Sequence, residues 1–307
     1  MSTIKTEHTF TALEGSSLLG FMAAVGAFSS LASIDAFASS RMKWILNGGS
    51  YCPVLELSAD LDREALLTQL HGFLAAIAGH RAITFDKDLK VSRQAFRGLS
   101  IEMTNNYLDG SDTFGCAMTA AFGCDAIIND EGQIEDTAFR TMSGAGHQHF
   151  LEFMNELAKQ TNIEHLREAL FGPWRYRDPS PIMRWDDADD RRYALRWDEP
   201  SKDPVRTVRG ANRLAIAALP LFPTVPIDDG IATTGFRGRK SNDTFVTWPI
   251  WSGWLTLDVL RSVLALPQLT ASNPTTAELS ARGVNAIFRS QRITLGKYRN
   301  FTPAKGL

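Results

Sequence analysis

Ser143-Gly144-Ala145-Gly146-His147-Gln148-His149 leads into a helical pattern carried by Phe150, Phe153 and Leu157. Glycines before a helix start let backbone amides point at an anion, and the helix dipole favours a phosphate there. Gly144, Gly146, His147 and His149 are therefore candidate phosphate contacts. A catalytic alternative makes His147 and His149 metal ligands, with Glu152 or Cys124, activating a water for phosphodiester hydrolysis. The spacing matches none of the zinc-protease, Walker or Rossmann patterns. Asp186, Asp187, Asp189 and Asp190 could gather a divalent cation. Flanked by Arg191 and Arg192, they read more simply as a solvated turn with surface ion pairs. Gly235-Phe236-Arg237-Gly238 is not a phosphate loop, because no Gly-Lys-Ser/Thr follows, and no nucleophile elbow is visible. No catalytic residue is assigned and no cofactor is called for.

Arginine and aromatic residues carry the second chemical signal. Arg206, Arg209 and Arg213 form one cluster, in which Arg209 and Arg213 share a helical face. Arg237, Arg239 and Lys240 follow in a polar, glycine-containing loop. Arg289, Arg292, Lys297 and Arg299 are interleaved with Phe288, Tyr298 and Phe301. Cations position a phosphate backbone and aromatic faces stack unpaired bases, so the interleaving suits RNA or single-stranded DNA. The bland alternatives are a core of aromatic residues and arginines paired with the chain's own acids. Net charge does not decide: 32 Lys and Arg stand against 34 Asp and Glu, a formal −2. The distribution is more informative, because residues 1–166 hold 11 basic against 20 acidic groups while 167–307 hold 21 against 14. A nucleic-acid partner would meet the second half, and the acidic first half would face solvent or a basic partner.

These groups need a scaffold, and 307 residues with 44% hydrophobic content can bury a substantial core. Leu18–Leu31 is apolar on nearly every face and should form a central helix rather than a membrane span or a signal peptide. Two short strands are expected over 41–57 around Asn47-Gly48-Gly49. Helical spacing starts after Asp62 and recurs at Phe150–Leu157, and Thr161-x-x-Glu164 reads as a capping box whose helix stops at Gly172-Pro173. Beyond Pro173 tryptophan and arginine multiply. Arg184-Trp185-Asp186 and Arg196-Trp197-Asp198 suggest a hairpin over 182–200. Thr244–Trp251 and 284–295 read as strands, Leu257–Leu266 as a helix stopped by Pro267, and Thr275-x-x-Glu278 as a second capping box. Residues 98–140 carry no clear pattern. The expectation is an α+β protein with a mainly helical, acidic region over 1–173. A strand-richer, basic region over 174–307 packs against it, either as a second domain or within one shared core. Three dispersed cysteines, Cys52, Cys116 and Cys124, indicate a reducing cytoplasm rather than a disulfide framework.

Several of these segments also resemble proteins encoded beside type I-G (formerly I-U) CRISPR effector genes. The resemblance is carried by Leu13-Glu14-Gly15 with Leu19-Gly20-Phe21-Met22-Ala23-Ala24-Val25-Gly26, and by the two Arg-Trp-Asp triplets. It extends through Val208-Arg209-Gly210-Ala211-Asn212-Arg213-Leu214, Thr247-Trp248-Pro249-Ile250-Trp251, and Gly296-Lys297-Tyr298-Arg299-Asn300-Phe301-Thr302-Pro303. It implies a cytoplasmic, non-membrane component of prokaryotic antiviral defence. Such a component works with other effector subunits and with guide RNA or target DNA, and no catalytic residues carry over.

Overall fold

The computed structural model describes residues 5–142, 148–189, 206–228, 230–238, 243–295 and 298–307, without the side chains of Asp189, Leu295 and Tyr298. Small and apolar residues leave the first helix no polar face, and α1 (Leu18–Ala32) is buried at every position. Ser17 caps it by accepting from the Gly20 amide, satisfying a donor with no partner inside the helix. Ahead of it, β1 (Thr6–Thr9) pairs with β3 (Ser50–Leu57), which pairs with β2 (Arg41–Asn47). Gly48 and Gly49 make the β2–β3 turn at φ 59° and 90°, the region that glycine adopts without strain.

The helical layer continues with α2 (Arg63–Ala76), α3 (Arg81–Thr84), α4 (Arg93–Leu108) and α5 (Thr113–Phe122). It then passes through a hairpin of β4 (Gly123–Ile128) and β5 (Ile134–Asp136) to α6 (Phe150–Gln160) and α7 (Ile163–Leu170). The segment over 98–140, unpatterned in sequence, is thus mostly regular. Only Phe96, Leu99 and Met103 are buried on α4, a stripe one residue wide per turn that gives a weak periodic signal. The capping box of α7 lies one residue beyond the expected start. Asn162 accepts from the Glu164 and His165 amides, and the His165 ring reaches back to the Asn162 amide, displacing Thr161 and Glu164 from those roles.

In the second half α8 (Arg209–Ala218) leads to the hairpin of β6 (Thr224–Ile227) and β7 (Gly230–Thr233). The main sheet follows: β8 (Phe236–Arg237), β9 (Thr244–Trp251), β10 (Val284–Leu295) and β11 (Tyr298–Phe301), in the order β11-β10-β9-β8. The last strand, β12 (Lys305–Gly306), pairs with β10 beside β11. Between β9 and β10 stand α9 (Leu257–Leu264) and α10 (Thr276–Ser280), whose Thr275 cap accepts from the Glu278 amide as its sequence predicts. The hairpin expected over 182–200 does not appear in its described part. Residues 182–189 are a loop with one 3-10 turn, and the second arm lies outside the described residues.

One buried cluster crosses the expected boundary at 173. Phe21 lies within 5.9 Å of both Trp44 and Trp248, and 6.4 Å from Trp251, ring centre to ring centre. The Trp248 and Trp251 indoles donate to the carbonyls of Gly15 and Met42, so the second-half rings are buried without losing their hydrogen bonds. A Cβ on Gly26 would stand 1.9 Å from the Leu214 carbonyl oxygen, which shows how closely α1 and α8 approach. The α+β architecture and the helix-rich to strand-rich progression follow the sequence reading. Among the described residues no helix is long and apolar enough to cross a membrane.

Candidate nucleic-acid interface

Strand parity decides what the arginines of the main sheet can reach, because directly paired residues share a face. Arg289 pairs with Thr247 on one side and Lys305 on the other, and Arg237 pairs with Phe245. These residues occupy one face of the sheet. Arg292 pairs with Phe301 and Thr244, and Arg299 pairs with Thr294, which puts Arg292 and Arg299 on the opposite face with Phe236, Val246 and Trp248. The cluster of basic residues expected near the C-terminus is therefore real but divided between two faces.

On the first face Arg289 is already committed. Its Nε donates to Thr247 Oγ1, and its two Nη groups donate to the Ser272 and Ala271 carbonyls at 2.8 and 2.7 Å. Burial lowers its pKa, and the neighbouring Arg237 charge adds to that shift. Its guanidinium stands 5.8 Å from the Phe245 ring centre. Arg237 is half-buried on β8 at one edge of this face, and Lys305 is exposed on β12 at the other. On the second face Arg292 donates to the Ala138 carbonyl at 2.7 Å. Burial pushes its pKa down to about 10, with Arg299 adding to the shift. Burial lowers Arg299 as well, with a further contribution from Arg140.

No carboxylate lies within ion-pairing distance of Arg237, Arg289, Arg292 or Arg299 among the described residues. Several other arginines are matched to acids: Arg41 to Glu56, Arg97 to Asp125, Arg167 to Glu64 and Glu164, Arg261 to Asp258. The main sheet gathers four arginines without an ion-pair partner among the described residues, while the Asp136 charge still acts on Arg292 and Arg299.

The first arginine cluster does not form such a surface. Arg206 is exposed and donates to the Arg177 carbonyl. Arg209 is half-buried, its backbone amide bound to Asp178 and its Nη1 3.4 Å from His165 Nε2. Arg213 does share its helical side but faces the interior. It is 1% exposed and donates to the Leu74 carbonyl, and burial pushes its pKa down to about 10. A phosphate backbone cannot reach it, which corrects its assignment as a nucleic-acid contact.

The start of α6 is likewise taken by the chain itself. The Leu151 and Glu152 amides donate to the Lys87 carbonyl at 3.1 and 3.0 Å, so these two free donors of the first turn do not face an anion. His149 holds the N-cap position with its Nδ1 3.6 Å from Asp88 Oδ2, too long for a hydrogen bond. Gly144, Gly146 and His147 lie outside the described residues, as do Arg239, Lys240, Lys297 and the Tyr298 side chain. Among the described residues no three His, Cys, Asp or Glu side chains gather as a metal site would need. Asp186 is no surface cation ligand either: it is 3% exposed and accepts from the Tyr176 hydroxyl and the Ala188 amide. Burial raises its pKa.

Comparison with protein-family models, with curated proteins and with solved structures finds no match. The functional reading rests on the chain's own residues and geometry.

Sequence reasoning missed Arg140 and Asp136. They form an ion pair with Arg140 Nε 2.7 Å from Asp136 Oδ2. Burial acts to lower the Arg140 pKa, but the adjacent Asp136, helped by Asp88, raises it overall. Their i,i+4 spacing was visible, yet Asp136 ends β5 and Arg140 lies in the loop after it, where no helical pattern drew attention to the pair.

Proposed function

We propose that this protein is a non-catalytic subunit of a type I CRISPR antiviral interference complex, contacting guide RNA or target DNA. The observation that carries this reading is one face of the main sheet, where Arg237, Arg289 and Lys305 stand with no acid in ion-pairing range among the described residues. A fold gains nothing by bringing like charges together, so the arrangement makes sense when an external polyanion completes it. The segments resembling type I-G proteins supply the context of an effector complex.

The outward face offers the half-buried Arg237 and the exposed Lys305 to the phosphates, on either side of the Arg289–Phe245 pair. The test is fluorescence anisotropy with a labelled single-stranded RNA over a range of salt, comparing the protein with an Arg237→Gln/Lys305→Gln variant. Loss of two phosphate contacts should weaken binding and make the log-log salt slope shallower by about 1.4. An unchanged affinity and slope in a folded variant contradict the interface.

A further inference from the structure

The inner face of the main sheet borders a cavity of about 610 Å³, also lined by residues of the β4–β5 and β6–β7 hairpins and open to solvent. Arg140, Arg292 and Arg299 all line it. Their charges are not equivalent. Arg140 is neutralised by Asp136, which also lines the wall. Arg292 spends one donor on the Ala138 carbonyl, and Arg299 makes no hydrogen bond or ion pair among the described residues. Two guanidiniums therefore present unspent donors to the same space. Glu135 is the one wall carboxylate without an arginine in ion-pairing range among the described residues.

The remaining wall differs in character. Ile227 and Ile231 from the β6–β7 hairpin, with Phe236 on the same sheet face as Arg292, supply an apolar side next to the cationic one. A volume near 600 Å³ falls within the roughly 300–1,000 Å³ range of small-molecule sites. One planar ring with a charged group attached fits both walls. Two guanidinium forks match the oxygen geometry of a phosphate that has three free oxygens to accept from them. A phosphate monoester meets that requirement better than the singly charged diester of an internal backbone position.

We propose that this cavity binds a phosphate monoester of nucleotide size, with the phosphate held by Arg292 and Arg299 and the ring against Ile227, Ile231 and Phe236. The ligand chemistry is common to a free nucleotide and to the phosphorylated end of a strand. The site stands independently of the subunit reading and of the outward face of the sheet.

The test is calorimetric titration of the full-length protein with adenosine 5′-monophosphate, a short RNA bearing a 5′-phosphate, and the same RNA with a 5′-hydroxyl. At least one phosphate-bearing probe should bind about tenfold or more tightly than the hydroxyl RNA. Arg299→Gln, which sacrifices no hydrogen bond among the described residues, should remove most of that preference. Glu135→Gln should act in the opposite direction, tightening the same probe about threefold by removing a repelling charge. Binding of the monophosphate but of neither RNA identifies a free nucleotide. Preference for the phosphorylated RNA over the monophosphate identifies a strand end. Equal affinity for the two RNAs with no binding of the monophosphate overturns the proposal, as does an affinity that neither variant changes. Arg237→Gln/Lys305→Gln should leave the phosphate preference intact, which separates this site from the outward interface.

Discussion

Arg213 shows how residue type and residue environment part company. Its cation lies in the interior with Nη2 on the Leu74 carbonyl, while Nη1 has no hydrogen-bond partner. A buried charge without a counterion contributes little net stability, so an apolar side chain of similar length should serve nearly as well. Arg213→Met is expected to stay within about 1 kcal/mol of the parent in denaturant melts and to leave RNA affinity unchanged. A drop of several kcal/mol would show that the guanidinium is essential where it sits. Asp186 gives a pH-dependent counterpart. Its carboxyl is raised by burial, so the folded state favours the protonated form. Its stabilising contribution is present at low pH and is lost as pH rises through the folded value, whereas Asp186→Asn titrates nothing there. Melts at about pH 4 and about pH 7.5 should show the parent gaining on the variant at the lower pH. A gap independent of pH would contradict the assignment. At this scale the sequence revealed which residues were cationic and little about where they point. Arg289 and Arg292 are three apart, so the strand expected over 284–295 already implied opposite faces for them, and the observed register bears that out.

Elements were legible in proportion to the strength of their hydrophobic pattern. The wholly apolar α1, the Asn-Gly turn between β2 and β3, and the long strands β9 and β10 stood out because each has a local physical cause that tertiary packing reinforces. α4 did not, since its buried stripe is thin and Ile101 and Leu108 lie exposed on it. The β4–β5 hairpin was missed because its strands are short and only half-buried along most of their length. Close packing at the α1–α8 crossing was equally invisible, because a glycine inside an apolar helix carries no sign of what lies opposite. Gly26→Ala must move a backbone carbonyl rather than a flexible side chain, so it should cost about 3 kcal/mol or more in a denaturant melt. A loss below about 0.5 kcal/mol would mean that α1 and α8 can separate freely.

The chain's two differently charged halves contribute to one core. Phe21 from the first half packs between Trp44 and Trp248, and α1 lies directly on α8. A fragment ending at Pro173 loses those partners and exposes the whole second-half face of α1. Followed by circular dichroism on heating, it should show no cooperative transition. A sharp one would establish an independently folded first half. Charge segregation survives this shared core: Glu56 and Asp125 pair with Arg41 and Arg97 of their own half, while the sheet arginines have no acid in ion-pairing range among the described residues. Such a molecule is suited to sit between a nucleic acid and other subunits. The measurement that tests this most directly is purification of the tagged protein from its native host, with mass spectrometry of the associated proteins and sequencing of the bound RNA. The account predicts effector subunits together with repeat-derived guide RNA, and loss of nucleic-acid contact in the Arg237→Gln/Lys305→Gln variant. Recovery of the protein alone, free of RNA and partners, would contradict it.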